Sequence, residues 1–345
     1  MPPLPSPLAP ILSALTLTTL YYIAHPPPQP TPSCESPSPL PLPPKPSKPG
    51  HVARNCMIAN RRSIRARSLA SKYTVNWSDT LGTGAYGSVH IAQSLDNNKL
   101  FAMKRMSKRY TSDGAFKREV TALLRIWDEG GCECVSGLKD MYEDEEYYYL
   151  VMDLVTGDEV FSHLINVGIW TESEARPLFA NMASAVTFLH SIGIIHADLK
   201  PENFVLEGSG DVMVKLVDFG CASIVSDNRP LSSRPVSGTT AYWPPECFGI
   251  ESREGGTEGS LDMWGLGVIF YIMLTGLHPF DLTGMATDDE IEIILRGSPV
   301  PPLDIPQAAH LSVDARDLIL KLMNPDPMLR IKAAQIMEHP FMKSK

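Results

Sequence analysis

His196-Ala197-Asp198-Leu199-Lys200-Pro201-Glu202-Asn203, then Phe204-Val205-Leu206, then Lys215-Leu216-Val217-Asp218-Phe219-Gly220 is the stretch that decides how the chain is read. It sets the carboxylates of Asp198 and Asp218, the ammonium of Lys200 and the carboxamide of Asn203 in a short span broken by strand-like apolar segments. That set suits moving a phosphoryl group. One carboxylate accepts the proton of an attacking hydroxyl, while an Asp and an Asn hold a divalent cation against nucleotide phosphates. Taken singly, each is an ordinary polar loop residue; the information lies in the spacing.

Upstream, Leu81-Gly82-Thr83-Gly84-Ala85-Tyr86-Gly87-Ser88-Val89 fits G-x-G-x-x-G-x-V. Glycines let the backbone approach phosphates closely, with amide N–H groups as donors. Dinucleotide-binding folds use a similar triple glycine but run from it into a helix; here the sequence returns to a strand. A plain hairpin turn is the competing reading, and Ala102-x-Lys104 one strand later argues against it. With the loop quoted above, these residues resemble the eukaryotic protein kinase family, whose catalytic loop reads H-R-D-x-K-x-x-N and whose metal loop reads D-F-G. Ala197 stands where that family usually has Arg. The resemblance runs from about residue 75 to 342.

The resemblance implies a two-lobed α+β fold, with ATP and Mg²⁺ as cofactors and protein Ser/Thr hydroxyls as acceptors. Gly82, Gly84 and Gly87 would cover the phosphates, and Lys104 would hold two of them if a carboxylate on the next helix fixes its ammonium. Between Lys104 and Trp127 the one Glu is Glu119, mid-helix, and Asp113 is expected ahead of that helix, so the pair is assigned as Lys104–Glu119. Asp198 would be the base, Lys200 would stabilise charge on the transferred group, and Asn203 with Asp218 would coordinate Mg²⁺. Met152 would flank the back of the adenine pocket, Asp153 and Val155 would lend backbone groups to the purine, and Leu81, Val89, Ala102 and Val205 would be its apolar walls. Glu159 would touch the ribose or a substrate arginine, the competing reading being an exposed acid at a helix start. Thr239 would bond near Asp198 and Lys200, Glu246 would pair with Arg330, and Asp262 would brace the catalytic-loop backbone.

The wording Leu199-Lys200-Pro201-Glu202-Asn203 resembles serine/threonine kinases. Val151 to Gly157 and His278-Pro279-Phe280 lean toward the calcium/calmodulin-dependent group, in which acids placed like Glu159 and Glu202 read basic residues upstream of the acceptor. Ala197 removes the guanidinium that usually meets a phosphate on the activation loop, so activity is expected without phosphorylation of Ser223, Ser226, Ser232, Ser233 or Ser237. A pseudokinase scaffold is the main rival. The small-molecule kinases are disfavoured by Pro244-Pro245-Glu246 and the peptide-site segment.

The chain of 345 residues has room for two lobes and an extension, at roughly 150 residues per domain. Residues 1–72 carry eight Lys/Arg and one acid, +7, which leaves −16 on the rest of a chain whose formal charge is −9. An acidic body disfavours nucleic acid as a partner. Six scattered cysteines lack zinc-site spacing and read as reduced thiols. Residues 1–49 hold 17 of 31 prolines and are not a packed domain. Ile11 to Ala24 is apolar but short of the ~20 residues that span a bilayer, so no integral membrane span is expected. Arg54 to Lys72 has the Arg- and Ser-rich composition of an organelle transit peptide. Cytoplasmic residence is expected, with plastid targeting through residues 1–72 as the alternative. The chain stops at Lys345 without a calmodulin-binding extension, and no EF-hand loop occurs, so calmodulin is not an expected partner.

The reading thus divides the chain into 1–72, an N-terminal lobe at 73–155 and a C-terminal lobe at 156–345. Strands are expected at Trp77–Leu81, Ser88–Gln93, Leu100–Lys104, Cys134–Met141 and Tyr147–Val151, with a helix from Gly114 to Trp127. Capping boxes at Thr171/Glu174 and Thr287/Glu290 open helices of the second lobe.

Overall fold

The computed structural model describes residues 69–84, 87–208, 213–225, 238–249, 259–281 and 286–344. The expectations for the basic, proline-rich extension, for Ala85 and Tyr86, and for Ser226, Ser232, Ser233 and Ser237 fall outside these residues.

A small lobe is built on five antiparallel strands, β1 (Tyr73–Gly84), β2 (Gly87–Ser94), β3 (Leu100–Ser107), β4 (Leu138–Glu143) and β5 (Tyr147–Asp153), in the order β1-β2-β3-β5-β4. The register sets Lys104 between Val89 and Leu150, and Ala102 beside Met152. Alternation along β5 explains its run of three tyrosines. Tyr149 and Val151 join a buried cluster with Tyr73, Phe101, Met103 and Tyr142 on one sheet face, while Tyr148, Leu150 and Met152 belong to the main core. Each such fully buried apolar side chain contributes about 1.5–3 kcal/mol.

The sheet is crossed by helix α1 (Asp113–Asp128). Ser112 caps it by accepting from Ala115 N at 3.2 Å, and Val120, Leu123 and Ile126 are buried. Glu119 lies among those buried residues, where an unpaired carboxylate would be costly. Asp113, expected ahead of the helix, is instead its first residue and accepts a hydrogen bond from the Tyr148 hydroxyl. The expected strand Cys134–Met141 also needs correction, because pairing with β5 starts only at Leu138. Residues 132–136 turn instead: Val135 N donates to Cys132 O at 3.0 Å, and Cys134 and Ser136 exchange backbone bonds with Leu216 from the other lobe.

The larger lobe is helical. α2 (Val160–Val167) and α3 (Glu172–Ser191) are followed by the short strand β6 (Ile194–Ile195), the hairpin β7 (Phe204–Glu207) and β8 (Met213–Leu216), and β9 (Ser223–Ile224), which pairs with β6. α4 (Ser260–Thr275), α5 (Asp288–Gly297), α6 (Val313–Leu322), α7 (Ala333–Ile336) and α8 (Pro340–Lys343) complete it. Both capping boxes form: Thr171 N reaches Glu174 Oε2 at 2.9 Å, and Thr287 N reaches Glu290 Oε2 at 2.7 Å. α3 runs on through Pro177, its stripe of Phe179, Met182, Val186 and Leu189 fully buried. α4 is apolar all round and buried all round, the mark of a helix inside a core. Its Trp264 stacks on Phe280 with ring centroids 5.4 Å apart. A β-rich small lobe and a larger helical lobe make the two-lobed α+β architecture. Among the described residues no helix is long and apolar enough to cross a membrane.

Candidate active site

The two lobes meet at a cluster of charge. Lys104 leaves the middle of β3, and its Nζ lies 2.7 Å from Glu119 Oε1 on α1 and 2.7 Å from Asp218 Oδ1, just past β8. Burial alone would depress the Lys104 ammonium, but the two carboxylates outweigh it and hold the group above its ordinary value. Burial pushes the Glu119 carboxyl up, Lys104 opposing it. Asp218, whose side chain is 49% exposed, is held down by Lys104 and by Gly220 N at 3.1 Å, which overcome the opposing effect of desolvation. Two carboxylates around one ammonium leave a net charge of −1 at the mouth of the cleft, a charge that a cation would neutralise.

The catalytic loop presents a second cluster. Asp198 Oδ1 accepts from Thr239 N at 2.7 Å, and its Oδ2 lies 3.2 Å from Lys200 Nζ. Lys200 also donates to Thr239 Oγ1 at 2.8 Å. Asn203 Nδ2 reaches Asp198 O at 2.7 Å and Asp198 Oδ2 at 3.3 Å. Both hydrogen bonds of that carboxamide are thus made by its nitrogen, which turns its oxygen into the atom available to a cation. Asn203 O in turn accepts from Val217 N at 2.8 Å, tying this cluster to the strand end that carries Asp218. The structure therefore brings Lys104, Glu119, Asp198, Lys200, Asn203, Asp218 and Thr239 onto one connected network.

Two backbone features hold the loops. Ala197 and Asp218 take left-handed φ values of 65° and 60°, unusual for residues other than glycine. Asp262 anchors the first of them. Fully buried at the start of α4, it accepts from His196 N at 2.9 Å, Ala197 N at 2.8 Å and His190 Nε2 at 2.8 Å. Its carboxyl is held below the usual range: desolvation pushes it up, but the His190 bond, the neighbouring histidines and the backbone amide of His196 prevail. A carboxylate with a depressed native pKa adds stability above its unfolded value near 3.8 and loses it as pH falls through the native value. The stability gap between the wild type and Asp262→Asn is therefore expected to narrow below pH ~4, by about 1.4 kcal/mol for each unit of depression. Urea denaturation of both proteins at stepped pH measures this. A gap that stays constant down to the acid limit would mean that Asp262 is not the group being titrated.

The nucleotide side is partly assembled from the residues the sequence singled out. Ala102 pairs with Met152, and Glu159 bridges to Val205. Leu81 is 52% exposed above the cleft on β1, and Gly82 lies opposite Val89. Asp153 N is committed to Gly137 O at 3.0 Å and its carboxylate to Lys139 at 3.1 Å and Gly137 N at 3.2 Å, while its carbonyl oxygen accepts from Ser136 Oγ at 3.4 Å. Val155 follows it in the connection between the lobes. Glu159 is exposed at the N-cap of α2 but makes no capping bond, leaving its carboxylate uncommitted at the cleft edge. Gly87 has a reason the sequence did not reveal: a Cβ there would lie 1.8 Å from Arg105 O on β3, so close strand packing excludes every other residue. Gly238 is likewise fixed, at φ 138° with Ala197 O 2.6 Å from where its Cβ would be. His190 was missed altogether, since nothing near it in the sequence points to Asp262, 72 residues away.

Glu246 and Arg330 meet as a two-pronged pair, Nη1 to Oε1 at 2.7 Å and Nη2 to Oε2 at 3.0 Å. Arg330 also bonds Ser260 O and Asn324 O and lies over the Trp264 ring at 5.1 Å.

A family model described as protein kinase domain matches residues 75–342. The chain is 34% identical over 286 residues to the serine/threonine-protein kinase PKZ1 of Phytophthora infestans, covering 77% of this chain and 70% of that protein. It is 33% identical over 282 residues to the calcium/calmodulin-dependent protein kinase type I of Schizosaccharomyces pombe, covering 80% of each. Identity to the myosin light chain kinase A of Dictyostelium discoideum is 31% over 272 residues, covering 77% of this chain and 87% of that one.

Proposed function

Because the chain belongs to the protein kinase family and is a protein serine/threonine kinase, we propose that it is catalytically active, that Mg²⁺ is its metal, and that it prefers acceptors preceded by basic residues. The observation that carries the first point is the unbroken path from Lys104 through Asp218 and Asn203 to Asp198. Pseudokinases usually keep the fold while losing one of these groups, and here all of them are present. In this reading Asp198, aimed by Thr239 N, takes the proton of the acceptor hydroxyl, and Lys200 follows the charge on the transferred phosphoryl group. Lys104 holds the nucleotide's inner phosphates, and the carbonyl of Asp153 and the backbone of Val155 meet the purine.

Asp218 and the Asn203 oxygen are hard donors that suit Mg²⁺. Those two residues would hold the ion, with phosphate and water as the further ligands that Mg²⁺ usually takes. When bound, the ion neutralises charge on the phosphates. Calcium and calmodulin in a relative's name belong to that relative; what is shared with it is the kinase domain. Cytoplasmic residence is the reading favoured by Cys132, Cys134, Cys221 and Cys247, which are thiols rather than disulfides.

The basic preference rests on Glu202. Its Oε2 is buried without a hydrogen-bond partner, and burial raises its carboxyl, with Glu159 and Asp198 adding to the effect and Lys200 opposing it. A guanidinium from a peptide would supply the missing partner. Glu202→Gln is expected to lower kcat/KM for a peptide with arginine upstream of serine roughly 30-fold, about 2 kcal/mol, and to leave an alanine-substituted peptide within about twofold. Steady-state kinetics on the two peptides decide it. Selection of acidic or proline-directed peptides from a library would overturn the proposal.

A further inference from the structure

The turn between α1 and β4 carries a feature that phosphoryl transfer does not use. Val135 N donates to Cys132 O at 3.0 Å, so Cys132 and Cys134 occupy the first and third positions of a hydrogen-bonded turn. With one residue between them on this turn, the two thiols are close enough to shift each other's protonation. Cys132 is half-buried and Cys134 buried. We propose that Cys132 and Cys134 are a modification site, closed into an intrachain disulfide by hydrogen peroxide, and that closure slows phosphoryl transfer by shifting the strand end that carries Asp218.

The chemistry needs one reactive thiolate and one nearby thiol. The neighbouring Cys134 brings the Cys132 thiol down to about 7, against burial and the Glu133 carboxylate. Cys134 is pushed up by Cys132 and by burial, so it keeps its proton, with Lys215 opposing that shift. The Cys132 thiolate attacks peroxide, the O–O bond breaks, and a sulfenic acid and hydroxide form. The Cys134 sulfur then attacks the sulfenic sulfur, the S–O bond breaks and water leaves. In sum, two thiols lose two electrons and one peroxide becomes two waters.

Closure fixes the sulfurs at a covalent separation of about 2.05 Å, which the backbone of the turn must accommodate. On the α1 side, Gly130 and Gly131 at φ 88° and 72° yield readily. On the other side the turn is bonded to the site: Leu216 N donates to Cys134 O at 2.8 Å, and Ser136 N donates to Leu216 O at 2.9 Å. Leu216 lies two residues before Asp218, whose carboxylate is on Lys104. Displacing Cys134 therefore pulls on the arm of the network that the other lobe supplies.

Both cysteines lie in one tryptic peptide, Ile126 to Lys139. Full-length protein is treated with peroxide, alkylated, digested and weighed, with kinase activity read in parallel. The expected result is that this peptide loses two hydrogens and escapes alkylation, while activity falls roughly tenfold and returns with dithiothreitol. Cys132→Ser and Cys134→Ser should each keep basal activity and resist the reversible loss. Activity that falls while the peptide stays reduced assigns the loss to another thiol, such as Cys221 beside the metal loop, and overturns the proposal. So does a peptide that closes without changing activity.

Discussion

Asp218→Asn is expected to fold normally and to lose at least about a hundredfold in the rate of phosphate transfer from Mg²⁺-ATP to a serine peptide. The substitution is chosen for what it leaves alone. The Asn oxygen can still accept from Lys104 and from Gly220 N, which now meet Asp218 Oδ1 at 2.7 and 3.1 Å. Lys104 keeps Glu119 at 2.7 Å, so its buried ammonium is not stranded. What disappears is one negative charge, and with it the surplus that a hard cation would neutralise. Lys104→Met should be equally inactive but less informative. It leaves Glu119 buried with no counter-charge, so loss of activity and loss of stability come together. Radiolabel transfer measures the first effect and a thermal melt the second. A wild-type protein that transfers nothing under the same conditions would favour the pseudokinase reading. An Asp218→Asn protein that matches the wild type would remove Asp218 from the proposed metal site.

How far the site was legible depended on what carried the information. Lys104 and Glu119 could be matched by elimination, because a single Glu lies on the helix that follows. The loop from His196 to Asn203 reads off directly, since its functional groups are close in sequence and its backbone is compact. Contacts set by distant packing were another matter. Gly87 carried a phosphate-loop reading, and the structure adds a steric one that depends on the register of β2 against β3. The start of β4 was placed four residues early because Cys134, Val135 and Ser136 look strand-forming; their partner is Leu216, from the opposite lobe. No local pattern announces that exchange. His190 closing on Asp262 and Asp153 turning toward Lys139 share the same cause, a side chain whose partner is fixed by the tertiary path alone. The six cysteines were read as scattered reduced thiols, and the turn from Cys132 to Val135 sets two of them side by side.

Arg330→Ala is expected to cost about 3–5 kcal/mol of stability, a large share of what a domain of this size has. Arg330 is 4% exposed, and its guanidinium makes four bonds: two to the Glu246 carboxylate, one to Ser260 O and one to Asn324 O. Removing it leaves Glu246 facing a pocket with no counter-charge and strips two carbonyls of a donor. It also empties space over Trp264, adding a cavity to the electrostatic loss. Since most of the cost comes from the stranded carboxylate, Arg330→Met with Glu246→Leu should be more stable than Arg330→Ala alone. Chemical denaturation of the three proteins tests this ordering. The pair links the short turn Pro245–Phe248 to α4, whose Asp262 holds the catalytic loop, so a loosened pair should also lower activity below the unfolding transition. A double variant as unstable as Arg330→Ala would put the cost in lost packing over Trp264 rather than in charge. A single variant within about 1 kcal/mol of the wild type would mean that the pair behaves like an exposed one, in conflict with its burial.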